Sequence, residues 1–220
     1  HTVKCLMRIS FIIFISLIII AVLASAFSNL VQRDFGNVEV SDVEIRGPHN
    51  STIRAKLFRH LTTTHKNRGP GVVYIHGYQS NRESSDPFCI ELSRRGIVAL
   101  CIDALGRGNS DLPLPLEHPL HDKTFGTKSA VDYIKTLDFV DTSRIGLMGN
   151  SLGGQLAYEY GLYDSSVKLV AFTGYAFDDR ATENRPPNML MIFGSKDEYK
   201  NRMLGTDERS GWIKSELVKK

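Results

Sequence analysis

Cysteine is scarce in this chain and comes in an odd number. Among 220 residues there are Cys5, Cys89 and Cys101, and no C-x-x-C pair. That pattern predicts neither a disulfide framework nor a zinc site. It leaves Cys101, inside an apolar run, as a small buried residue. Charge of one sign is lacking too. The net charge is +3, and the Lys and Arg residues are scattered apart from Lys219-Lys220. No basic patch speaks for a nucleic-acid partner. Internal repeats are absent, and so are low-complexity tracts beyond the apolar N-terminal run. What remains is globular in character, with 42% hydrophobic and 23% charged residues, enough for one domain with a real core.

The N-terminal run is the first positive signal. Residues 9–31, ISFIIFISLIIIAVLASAFSNLV, carry no charge and follow Lys4 and Arg8. About 20 apolar residues suffice to cross a bilayer. The run exceeds the apolar core of an ordinary signal peptide, although Ala24-Ser25-Ala26 would suit signal peptidase. We therefore expect a basic flank over 1–8, a membrane anchor or signal segment over 9–31 that partners the lipid bilayer, and a globular domain over 32–220. The basic flank would stay inside and send the domain to the outer face, or release it if the leader is cleaved. A buried core helix would need a polar face, and this run has none.

Beyond it, VEVSDVEIR (38–46) and STIRAKLFR (51–59) alternate like half-exposed strands and flank the turn Gly47-Pro48-His49-Asn50, which reads as an antiparallel hairpin. Apolar strand-like runs follow at 71–77, 97–103, 144–149, 168–174 and 188–194. Helical spacing lies between them at 83–95, where Gly96 is the stop, at 125–138 and at 152–161. A polar, Pro-rich loop occupies Gly106 to about Lys123. Continuous apolar strands separated by helices predict a mostly parallel sheet covered on both faces, with the hairpin at its edge.

The chemistry centres on Gly149-Asn150-Ser151-Leu152-Gly153. A G-x-S-x-G pentapeptide alone is a weak signal. Here it closes a strand and opens a helix, the setting of a nucleophile elbow, where a tight turn demands small neighbours. His76-Gly77 ends an earlier strand, and a glycine there frees the backbone to turn the N–H of Tyr78 inward. With the N–H of Leu152 it would form an oxyanion hole. Asp103 opens D-x-x-G-x-G-x-S and reads as a turn-holding residue. Asp197 follows a strand and a glycine, where a carboxylate could orient a histidine; Asp178 and Asp179 are the reserve.

With these four motifs in order, HGYQSNRE, DALGRGNSD, VDTSRIGLMGNSLGG and IFGSKDE, the chain resembles the α/β-hydrolase superfamily over about residues 38–200, nearest its dienelactone-hydrolase-like and serine-aminopeptidase-like branches. The resemblance implies that fold, Ser151 as nucleophile, Asp197 as acid, and the backbone of Tyr78 and Leu152 as oxyanion donors. His76, Gly77, Gly149 and Gly153 would shape the site. It implies a serine hydrolase acting on a small ester, amide or peptide without metal or other cofactor.

One part of the pattern is missing. The seven histidines all lie at or before residue 121, whereas the family's base follows its acid. Three readings follow: the chain is a C-terminally truncated piece, His118 or His121 substitutes, or the protein is an inactive relative that binds rather than cleaves. His118 and His121 read most simply as loop residues, with Pro119 between them arguing against a metal pair. The short segment between the last two strands suggests a site without a large lid.

Overall fold

The computed structural model describes residues 2–174 and 188–192. An N-terminal helix, α1 (Thr2–Gln32), leads into the hairpin β1 (Val38–Arg46) and β2 (Thr52–His60). Then come β3 (Gly69–Ile75), α2 (Asp86–Arg94), β4 (Val98–Ile102), α3 (Thr127–Thr136), β5 (Val140–Asn150), α4 (Leu152–Tyr163), β6 (Val167–Thr173) and β7 (Met189–Ile192). The strands form one sheet in the order β1-β2-β4-β3-β5-β6-β7. β1 and β2 join antiparallel at one edge, and β3 to β7 run parallel.

Period-2 alternation divides the core between the two faces. Ile53, Ala55, Val73, Ile75, Leu100, Ile102 and Leu147 bury one side under Ala130, Val131 and Ile134 of α3 and Leu156 and Ala157 of α4. Phe58, Tyr74, Ala99 and Cys101 bury the other side under α2. In α2 the buried positions are Cys89 and Ser93, one helical turn apart, while Phe88 remains exposed and stacks on Tyr74 at 5.5 Å.

The expectation of no disulfide is overturned: Cys89 of α2 is bonded to Cys101 of β4, with Cα atoms 7.0 Å apart. The odd count hid a pair, because the partners meet only when helix and strand dock. Cys101 is buried as expected, but as half of a covalent staple.

α1 does not join this core. Its segment Met7–Gln32 has a mean hydropathy of 2.9 and none of it is buried, which removes the reading of a core helix and leaves a helix apolar and long enough to cross a membrane.

The winding of the parallel strands positions the site. The chain steps from β3 to β4 on one side, then returns past β3 to β5 on the other. The winding reverses between β3 and β5, and in open α/β sheets the crevice at the carboxyl ends of the strands at such a reversal is where ligands bind.

Candidate active site

Ser151 stands at that crevice, directly after β5, as the residue before α4. Its backbone has φ 51° and ψ −116°, a region costly for a residue with a side chain. The surroundings hold it there. The Ser151 N–H donates to the carbonyl of Thr173 at 2.8 Å, and the Asn150 side-chain amide donates to the Thr173 hydroxyl at 2.7 Å. The Ser151 carbonyl accepts the first bond of α4 from the Gln155 N–H at 3.0 Å. The residue is exposed, and its hydroxyl has no hydrogen-bond partner among the described residues.

The turn closes only with glycine at both flanks. A Cβ on Gly149 would lie under 3.0 Å from the backbone of Gly153, and one on Gly153 would lie under 3.0 Å from the carbonyls of Ile75 and His76. Close packing of α4 on β3 and β5, not a left-handed backbone, is what the two glycines supply.

The end of β3 reaches the same point. A Cβ on Gly77 would sit 3.7 Å from the Ser151 Cβ. His76 is 1% exposed; its Nε2 accepts the Ala104 N–H at 3.2 Å and its Nδ1 faces the Gly77 carbonyl at 2.7 Å. With Nε2 accepting, Nδ1 is the nitrogen that donates, to the Gly77 carbonyl. The Ser80 N–H donates to the same carbonyl at 3.1 Å. No peptide bond is cis among the described residues. With the Gly77 carbonyl held in this way, the Tyr78 N–H of the same trans peptide is directed oppositely. Both ring nitrogens of His76 are thus engaged with backbone groups.

Asp103, fully buried at the end of β4, accepts the N–H of Arg82 at 2.8 Å and of Asn109 at 2.9 Å, and its carbonyl accepts the Ser110 hydroxyl at 2.7 Å. It ties together the loops after β3 and β4, the structural part expected of it. His118 and His121 are engaged within their own loop. The His118 Nδ1 accepts the Leu120 N–H at 3.1 Å, and the His121 Nδ1 meets the Leu114 carbonyl at 2.6 Å while its ring lies edge-on to Phe125. No histidine is bonded to Ser151 among the described residues. Asp197, Asp178 and Asp179 lie outside them. Clusters of three or more metal-ligating side chains are absent among the described residues.

Arg107 escaped the sequence reading. Its Nε donates to the Tyr78 carbonyl at 2.9 Å, its Nη1 donates to the Gly106 carbonyl at 2.9 Å, and its guanidinium lies 4.2 Å from the centre of the Tyr78 ring. The signal available in advance was only its place in D-x-x-G-x-G-x-S. A separate cleft of about 500 Å³, lined by Arg33, Phe58, Ile90 and Arg94 among others, lies by the end of α1, away from Ser151.

Comparison with known proteins agrees with this architecture. The family model described as "Alpha/beta hydrolase family" matches residues 72–214. The uncharacterized protein YcjY of Escherichia coli (strain K12) is 29% identical over 89 residues, which is 40% of this chain and 29% of YcjY. The chain spans less than a third of the length of the curated relatives it matches. A hypothetical protein of Pseudomonas aeruginosa has a TM-score of 0.56 at 22% identity, covering 83% of this chain and 52% of that one. A bacterial heroin esterase has a TM-score of 0.53 at 22% identity, covering 74% and 54%. At these identities the likeness to solved structures speaks for the fold.

Proposed function

The chain belongs to the alpha/beta hydrolase family, and we propose that it is a serine hydrolase that cleaves carboxylic esters, or amides and peptides, through an acyl-enzyme on Ser151. The observation that carries the reading is the strained, exposed Ser151 at the strand–helix turn, with Gly77 packed against it. Strain of this kind persists where surrounding structure over-determines it, and it clusters at active sites.

In the proposed reaction the Ser151 oxygen attacks the substrate carbonyl carbon while an imidazole takes its proton. The N–H groups of Tyr78 and Leu152 receive the developing negative oxygen, the second reinforced by the positive end of α4. The tetrahedral intermediate collapses, and the leaving alcohol or amine departs with that proton. Water then repeats the sequence and frees the acid. Asp197 orients the imidazole, with Asp178 or Asp179 in reserve. Without a base the hydroxyl would be a poor nucleophile, and in the family's order the histidine follows the acid.

The same reading places the domain, residues 32–220, on the outer face of a membrane held by α1. The Cys89–Cys101 disulfide supports an oxidising compartment.

The test uses the complete product of the gene. A fluorophosphonate probe should label Ser151, and Ser151→Ala should remove both labelling and ester turnover. A folded complete protein that neither labels nor turns over esters would make this a hydrolase fold used for binding instead.

A further inference from the structure

Arg107 is a cation held in place by groups that do not neutralise it. Two backbone carbonyls fix the Nε and Nη1 edges of its guanidinium, and the Tyr78 ring covers one face. No carboxylate pairs with it among the described residues, unlike Arg54, Arg59, Arg82, Arg94, Arg95 and Arg144. A guanidinium has five N–H donors. Two are used here, so one on Nη1 and both on Nη2 are left over. The residue is half-buried, and Tyr78 beside it is 60% exposed. Tyr78, whose carbonyl and ring hold the guanidinium, directly follows Gly77, which packs on Ser151.

We infer that Arg107, stacked on Tyr78, is a subsite for a carboxylate on the substrate, so that the hydrolase cleaves esters or amides that also carry an acidic group. The inference rests on the reading of Ser151 as nucleophile. A planar fork already immobilised loses little freedom on pairing with a carboxylate. The stacked ring limits water on one face, which strengthens the pairing. A neutral substrate would leave the cation unmatched.

The test compares p-nitrophenyl hemiglutarate with p-nitrophenyl pentanoate, an anionic and a neutral ester of the same acyl length, on the complete protein. The wild type should prefer the hemiglutarate. Arg107→Gln should collapse the ratio of the two kcat/KM values by about tenfold or more, chiefly through KM, as expected for a charge-assisted hydrogen bond. Arg107→Lys, which keeps the charge and loses the fork, should fall between. Added salt should reduce the preference of the wild type. An equal fall for both esters would make Arg107 a brace for the Tyr78 backbone only and overturn the subsite, as would an unchanged ratio. Glutarate binding to the Ser151→Ala protein, followed by calorimetry, separates the two readings. Binding that Arg107→Gln abolishes supports the subsite even if no ester is hydrolysed, and no binding together with no preference removes it even if neutral esters are cleaved.

Discussion

At the scale of single residues, Ser151 and its glycines make opposite predictions. The Ser151 hydroxyl is exposed and has no partner among the described residues, so Ser151→Ala should abolish turnover of the complete protein yet shift its unfolding free energy by no more than about 1 kcal/mol. Gly153→Ala should do the reverse in stability. Its methyl group would meet the carbonyls of β3, backbone that cannot rotate away, so a loss of about 1–3 kcal/mol is expected by denaturant titration. Equal stability of Gly153→Ala and the parent would mean that α4 can stand off from β3. The strand–turn–helix around Ser151 was legible in the sequence because its requirements are local: a strand, a tight turn and a helix within about two dozen residues. Arg107 was not, because its neighbours Tyr78 and Gly106 come together through the ends of two different strands.

At the scale of elements, the parallel strands were legible from their unbroken apolar runs, and their limits moved where pairing rather than hydrophobicity sets them. β5 begins at Val140, before the apolar run, because Val140 and Asp141 pair with Gly69 and Pro70 ahead of a register shift. The apolar run alone places the strand at 144–149. The turn from α4 to β6 is held by Asp164, a residue that no motif marked. Burial alone would raise its carboxyl, but the hydroxyl and N–H of Ser166, the Tyr160 hydroxyl and Lys135 overcome that and hold it at about 2. An unfolded aspartate titrates near 4. Its contribution is therefore complete above about pH 4 and is lost as the pH falls toward 2. Asp164→Asn should cost about 1–2 kcal/mol at neutral pH, discounted for partial exposure, and the gap to the wild type should narrow as the pH falls from about 4 toward 2. A gap independent of pH in urea titrations would point to packing rather than charge. The staple between α2 and β4 is the element that composition hid. Cys89→Ala should lower stability by about 2–4 kcal/mol, and alkylation before reduction should leave both thiols of this pair unmodified.

At the scale of the whole molecule, the hairpin sets the site apart from the N-terminal helix. Val38, the first residue of β1, pairs with His60 at the end of β2, and β2 runs antiparallel to β4. The chain therefore enters the sheet at the amino ends of the parallel strands, whereas Ser151, Gly77 and Asp103 gather at the carboxyl ends. Nine residues of β1 span about 30 Å between the two edges. In the proposed function, attachment through α1 and chemistry at Ser151 would thus lie at opposite ends of the parallel strands. Since none of Met7–Gln32 is buried, its removal should cost the domain little. The complete protein should stay with the membrane pellet through a carbonate wash, and the same protein lacking residues 1–32 should be soluble, with an unchanged thermal midpoint and an unchanged kcat/KM toward a soluble ester. Release of both forms by carbonate would remove the anchor. A drop in activity on deletion would mean that the helix, or the cleft beside its end, reaches the site after all.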